Sequence, residues 1–128
     1  MSRNASVLAG KLVLVVEDEY FVADDLRQAL VRRGADVVGP VARVEAGLPL
    51  AETAGLAAAI LDVNLAGDMS FPIADRLIAR GVPFVLATGY DDTALPDRFA
   101  PIGRMPKPFS PDIAVAMLER LVDGRGAE

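Results

Sequence analysis

Neither cysteine nor histidine occurs among the 128 residues. Without cysteine there is no disulfide scaffold, no thiolate metal site and no thiol nucleophile. Without histidine the chain lacks the usual general base, the commonest zinc ligand and any phosphohistidine of its own. An excess of basic charge is also missing. The formal net charge is −5, which argues against a nucleic-acid partner held by bulk electrostatics. No apolar run approaches the ~20 residues needed to span a bilayer, and the opening MSRNASVLAGK is too polar for a secretory signal. A cytoplasmic protein without membrane insertion is expected. Its chemistry must run on Asp, Glu, Lys, Ser, Thr, Tyr and Arg.

Apolar residues make up 52% and charged residues 24%, an ordinary globular balance for one domain with one core. The pattern predicts that domain over residues 11–123, with flexible tails at 1–10 and 124–128. KLVLVV (11–16) is a β-branched apolar run, as expected of a central strand covered on both faces. A helix follows, with Phe21, Val22, Leu26, Ala29 and Leu30 at helical spacing, Arg32 and Arg33 in its last turn and Gly34 as its stop. ADVVGPVA (35–42) reads as a strand, and Pro40 places it at a sheet edge. A weaker helix within 42–55 contains Pro49, which should kink it or delay its start.

LAAAILD (56–62) is the third strand. Ser70 and Pro72 mark the cap and first turn of a helix that Gly81 ends. VPFVLAT (82–88) is the fourth strand, any helix in 91–97 is short, and a brief strand lies around 102–105. The last helix opens at Ser110–Pro111, with Ile113, Met117, Leu118, Leu121 and Val122 on one face. Five strand–helix alternations imply an α/β fold: a doubly wound, five-stranded parallel sheet of order 2-1-3-4-5, with helices on both faces and a short or disordered fourth helix. Such sheets bind ligands beyond the carboxyl ends of their strands.

Polar residues fall at those ends. The first strand runs into Glu17 and Asp18, the third into Asp62, the fourth into Thr88, and Lys107 follows the fifth. All these ends share one rim, so three carboxylates, a hydroxyl and an ammonium should meet in one shallow pocket. Crowded acids ask for a cation, and Mg²⁺ suits a site with few carboxylates and several waters. Asp62 can then be both ligand and nucleophile, attacking a phosphoryl group to form an aspartyl phosphate. Mg²⁺ and Lys107 would offset the phosphoryl charge, and Thr88 would donate a hydrogen bond. Each residue alone has a plainer reading. A strand-end Asp is usually a cap or turn, Glu17 and Asp18 could serve the first helix, Thr88-Gly89 could be a turn, and Lys107 a solvated loop cation. Their joint appearance at successive strand ends favours the chemical reading.

The motifs VVEDE (15–19), ILDVNLAGD (60–68), ATGY (87–90) and PKPF (106–109) occur in this order. Through them the chain resembles a response-regulator receiver domain of a two-component system. The resemblance implies that Asp62 is the phosphoacceptor, that Asp18 ligates Mg²⁺ directly and Glu17 through water, and that the Asn64 backbone carbonyl completes the protein's share of the metal shell. It makes Thr88 and Lys107 the pair that binds the phosphoryl group, with the Lys107–Pro108 bond commonly cis. Two features depart from the family pattern. Arg104 stands where an aromatic switch residue is usual, and Thr88 and Lys107 are only 19 positions apart. Both traits, with ATGY and VVGPVA, resemble the atypical FATGUY receivers, although Leu86 replaces the Phe of that signature. Those receivers are associated with HWE and HisKA2-type histidine kinases. Tyr90, or a rearrangement of 89–104, is the candidate substitute for the missing switch.

The function expected is that of a stand-alone receiver. It would take a phosphoryl group from a sensor histidine kinase or phosphotransfer protein and signal through a downstream protein partner, or act as a phosphate sink or shuttle. It would be no enzyme beyond slow autodephosphorylation. No effector segment follows residue 123, so output is expected through a partner. Two alternatives stand beside this. One is a degenerate receiver that binds partners without phosphorylation. The other is a small phosphatase of the haloacid-dehalogenase type, disfavoured because the first strand ends EDEY rather than in two Asp two residues apart.

Overall fold

A computed structural model describes residues 6–89 and 95–124. Its five-stranded parallel sheet contains β1 (Leu12–Val16), β2 (Asp36–Val41), β3 (Leu56–Asp62), β6 (Phe84–Thr88) and β7 (Gly103–Pro106), in the order β2-β1-β3-β6-β7. Between β3 and β6 lies a two-stranded antiparallel hairpin, β4 (Asn64–Leu65) with β5 (Asp68–Met69). The helices are α1 (Tyr20–Arg32), α2 (Val44–Leu50), α3 (Phe71–Ala79) and α4 (Pro111–Gly124). The five-stranded order is the one the alternation predicts. Among the described residues no helix is long and apolar enough to cross a membrane.

Alternation along the central strands sends successive side chains to opposite faces. Leu14, Val16, Ala59, Leu61 and Leu86 join one buried cluster with Ile73, Ala74 and Leu77 of α3. Val13, Val15, Ala58, Ile60 and Val85 join the other, with Leu26, Ala29 and Leu30 of α1 and Ala114, Val115 and Leu118 of α4. Strands covered on both faces need unbroken apolar sequence, which is why β1, β3 and β6 read as plain hydrophobic runs. β2 is an edge strand, as Pro40 predicts, and the pairing shifts by one residue between Leu14↔Val38 and Val16↔Val41. Gly39 makes that bulge possible. Its φ is +93°, and a Cβ there would stand 2.9 Å from the Val15 carbonyl oxygen.

Several expectations are corrected. Residues 6–10 are no loose tail: Leu8 is fully buried in the cluster beneath α1 and α4, and the Ser6 hydroxyl meets Glu119 at 2.5 Å. Phe21 does not face the core but is 79% exposed, stacked edge-on against Tyr20. The true stripe of α1 is Ala23, Leu26, Ala29 and Leu30; Phe21 lies about 140° around the helix from Leu26 at ~100° per residue. Ile113 is likewise exposed, because α4 turns Ala114, Val115 and Leu118 inward. Pro49 does not delay the start of α2. The helix begins at Val44 and ends one residue after the proline. Between β6 and β7 the described chain forms a short 3₁₀ turn, Asp97–Phe99, whose Phe99 is buried against Phe71.

Candidate functional site

β1, β3 and β6 all point their carboxyl ends to one rim, and the polar residues follow as each strand ends. Glu17 leaves β1 with its N–H bound to the Val41 carbonyl, and its own carboxylate accepts the Glu19 N–H at 3.0 Å. Asp62 is the last residue of β3. Glu17 and Asp62 are 3% and 2% exposed, and Asp18 is half-buried between them. One carboxylate oxygen from each of the three lies within 4.8 Å of the others.

Lys107 supplies the countercharge. Its Nζ stands 2.6 Å from Asp62 Oδ2 and 3.4 Å from Glu17 Oε2. Its position is set by its backbone N–H, which donates to the Thr88 carbonyl at 2.8 Å, and it precedes a cis bond to Pro108. Asn64 donates its N–H to Asp62 Oδ1 at 3.2 Å, and its side-chain Oδ1 accepts the Gly67 N–H at 2.7 Å, which closes the β4–β5 hairpin. The hairpin thus holds one Asp62 oxygen while Lys107 holds the other.

One ammonium among three carboxylates leaves the cluster negative. Burial pushes the Glu17 pKa up from its ordinary value to about 7, and the Asp62 charge adds to that. Burial also raises the Asp62 pKa, while hydrogen bonding and charge from Lys107 pull the other way. For Lys107 burial works to lower the pKa, but the two acids outweigh it and the ammonium is held charged. Hard oxygen donors, close together and short of positive charge, fit a divalent cation, so Glu17, Asp18 and Asp62 could hold a metal ion.

The structure therefore brings together Glu17, Asp18, Asp62, Asn64 and Lys107. Thr88 ends β6 beside them, with its hydroxyl donating to the Met105 carbonyl at 3.3 Å. Arg104 is exposed on β7, paired in register with Leu86. Tyr90 lies outside the described residues. Sequence reasoning missed one participant. Ser70, expected to cap α3, makes no side-chain cap bond; its fully buried hydroxyl donates instead to the Asp62 carbonyl at 2.6 Å. No local pattern marks a bond across eight residues. The only signal was a serine standing between an acid-ended strand and an apolar helix.

No protein-family model matches the chain, and no curated protein sequence does. Solved structures do. The chain is 39% identical to SdrG from Sphingomonas melonis Fr1, over 88% of this chain and 96% of that one, with a TM-score of 0.75. It is 40% identical to the BeF3-activated conformation of SdrG from Pseudomonas melonis Fr1, over 85% of this chain and 92% of that one, at a TM-score of 0.67. A CheY-like response-regulator receiver domain protein from Methanospirillum hungatei JF-1 is only 13% identical. It superposes over 92% of this chain and 98% of its own at a TM-score of 0.76, and so shows the shared fold. With an acid-ended parallel sheet, a lysine across from its central carboxylate and this likeness to SdrG over nearly the whole of both chains, the protein belongs to the response-regulator receiver family.

Proposed function

We propose that the chain is a phosphoacceptor. Asp62 takes a phosphoryl group from the phosphohistidine of a sensor kinase or phosphotransfer protein, and a downstream protein reads the result. The observation that carries this is the buried Asp62 carboxylate, gripped by Lys107 at 2.6 Å and flanked by Glu17 and Asp18. An isolated buried acid would be costly to keep; one set among two further acids and a lysine is arranged for attack on an anion.

In the step itself an Asp62 carboxylate oxygen attacks phosphorus, the bond from phosphorus to the donor's imidazole nitrogen breaks, and the electron pair stays on that nitrogen. Mg²⁺, held by Glu17, Asp18, Asp62 and the Asn64 backbone carbonyl, would supply positive charge for the phosphoryl oxygens. Lys107 neutralises a further oxygen as charge gathers there, and the Asn64 N–H keeps the carboxylate oriented. The adduct brings roughly −1 to −2 of charge and new acceptor oxygens. The Thr88 hydroxyl, now on the Met105 carbonyl, turns toward them and draws the end of β6 with it.

Arg104 cannot act as the inward-turning aromatic, so Tyr90 or the segment 89–104 carries the change to a partner. These traits support placement among the FATGUY receivers, with an HWE or HisKA2-type kinase upstream. That the 40% identical SdrG has a BeF3-activated conformation supports the phosphoacceptor reading. Incubation with Mg²⁺ and acetyl phosphate or beryllofluoride tests it. A single acid-stable, base-labile adduct that Asp62→Ala abolishes is expected. Rapid multiple turnover would point to a phosphatase, and no adduct at all to a binding module.

A further inference from the structure

We infer that Ser70 is a positioning residue for Asp62, an inference that rests on the phosphoacceptor reading. The need for it comes from the sheet. The Val63 N–H donates to the Ala87 carbonyl of β6 at 3.0 Å. Across that one peptide plane, the Asp62 carbonyl must point the opposite way, toward β1. But β1 makes its last pairing at Val16, opposite Leu61, and the Glu17 N–H turns away to Val41. The sheet thus has no donor for the Asp62 carbonyl at the point where its nucleophile stands. A buried carbonyl left without a donor is disfavoured and tends to rotate until it finds one.

Ser70 fills that place. The β4–β5 hairpin carries the chain out and back, and the Ser70 hydroxyl donates to the Asp62 carbonyl at 2.6 Å. Its own N–H donates to the Val63 carbonyl at 2.9 Å. Its carbonyl accepts the Ile73 and Ala74 N–H groups at 3.0 and 3.1 Å, so the residue is anchored in the first turn of α3. The peptide after Asp62 is thereby clamped from two sides, by β6 and by α3. That clamp sets the direction in which the Asp62 side chain leaves the backbone, with Oδ2 on Lys107 and Oδ1 on the Asn64 N–H. In-line attack tolerates little misdirection of the nucleophile. A merely structural serine would hold α3 to the sheet; this one also holds the aim of the carboxylate.

The test compares Ser70→Ala, Ser70→Thr and, on the same helix but two turns from this contact, Leu77→Val as a stability control. Adduct formation on Asp62 is timed with acetyl phosphate and Mg²⁺, and the Asp62 carbonyl carbon shift is read by NMR without metal. Ser70→Ala should react about tenfold more slowly than the wild-type protein, well beyond any slowing in Leu77→Val. Its Asp62 carbonyl shift should move upfield, and Ser70→Thr, which keeps the hydroxyl, should recover most of the rate. Should Ser70→Ala fail to fold, Ser70→Cys replaces it, its thiol being a weaker donor, and an intermediate rate is expected. A wild-type rate in either replacement, or slowing no greater than in Leu77→Val, overturns the inference alone. A wild-type protein that forms no adduct overturns the phosphoacceptor reading, and this inference with it.

Discussion

Ile60 and Asp62 stand two residues apart on β3, face the same side of the sheet and are hidden from water to the same degree, at 1% and 2% exposure. Their burial has opposite meanings. Ile60 sits among Val15, Val85 and Leu118, and its removal from water favours the fold. Asp62 sits where two other acids compete for one lysine, and its burial opposes the fold. The strand is driven to its place by the lower residues and presents the upper one at a cost. Equal accessibility thus separates into stabilising and functional burial only when the partners are counted.

Substitutions at the two positions should move stability in opposite directions. Ile60→Ala is expected to cost about 3 kcal/mol through lost transfer and cavity terms, while leaving adduct formation intact at temperatures where the protein stays folded. Asp62→Asn should abolish the adduct entirely and yet raise stability by about 1 kcal/mol at neutral pH, because it removes one of three crowded charges and leaves Lys107 its contact with Glu17. Denaturant unfolding of the metal-free variants checks both. A loss of stability in Asp62→Asn would show that the ion pair with Lys107 outweighs the repulsion, and would dissolve the contrast.

Acidity sharpens the same comparison. Glu17 has a pKa of about 7 in the folded protein against 4.5 as the ordinary value. The folded state therefore binds this proton more tightly than the unfolded chain does. Its contribution is fully present below about pH 4.5 and is lost as pH rises through 7, which amounts to about 3 kcal/mol. Asp62 shifts in the same direction, and the raised Lys107 acts only in the alkaline range. Metal-free wild-type protein should accordingly lose stability between pH 5 and 7.5 relative to Glu17→Gln, measured as the difference between their unfolding midpoints. Added Mg²⁺ should cancel that difference by taking the charge that burial resists. Parallel profiles for the two proteins would mean that Glu17 is better solvated than its 3% exposure implies.

The residues in this contrast were legible in the sequence because each breaks an apolar run. A strand covered on both faces has no polar residues until it ends, so Glu17, Asp18, Asp62 and Thr88 stand out, and parallel topology alone gathers them. What was not legible depended on contacts with no periodic trace. Leu8 stands in the short stretch Ser6-Val7-Leu8-Ala9, too brief to show a strand or helix period, and is buried in the cluster to which α1 and α4 contribute. Phe21 and Ile113 fall near the apolar spacing of their helices, but the phase of each helix turns the smaller Ala23 and Ala114 inward instead. Ser70 was assigned its commonest local role, and the bond it makes belongs to the strand end eight residues earlier. Chemistry at strand ends could be read from composition; the support beneath it could not.

The smallest expected effect lies in that support. The hairpin that returns the chain from Asp62 to Ser70 turns through Ala66 and Gly67, both at positive φ, +53° and +100°. Glycine adopts this conformation freely, whereas for an alanine it costs on the order of 1 kcal/mol. Ala66→Gly relieves that strain but adds freedom to the unfolded chain, so the net gain should be no more than about 0.5 kcal/mol. Ala66→Asn, which tolerates the left-handed region without that added freedom, should gain somewhat more. Neither side chain touches Asp62, whose geometry is held by the Asn64 N–H, Lys107 and Ser70. Adduct formation should therefore stay at the wild-type rate while the unfolding midpoint rises. A slower reaction in a more stable Ala66→Asn protein would mean that the strained turn itself helps to aim the carboxylate, and the line between support and chemistry would have to be drawn one loop further out.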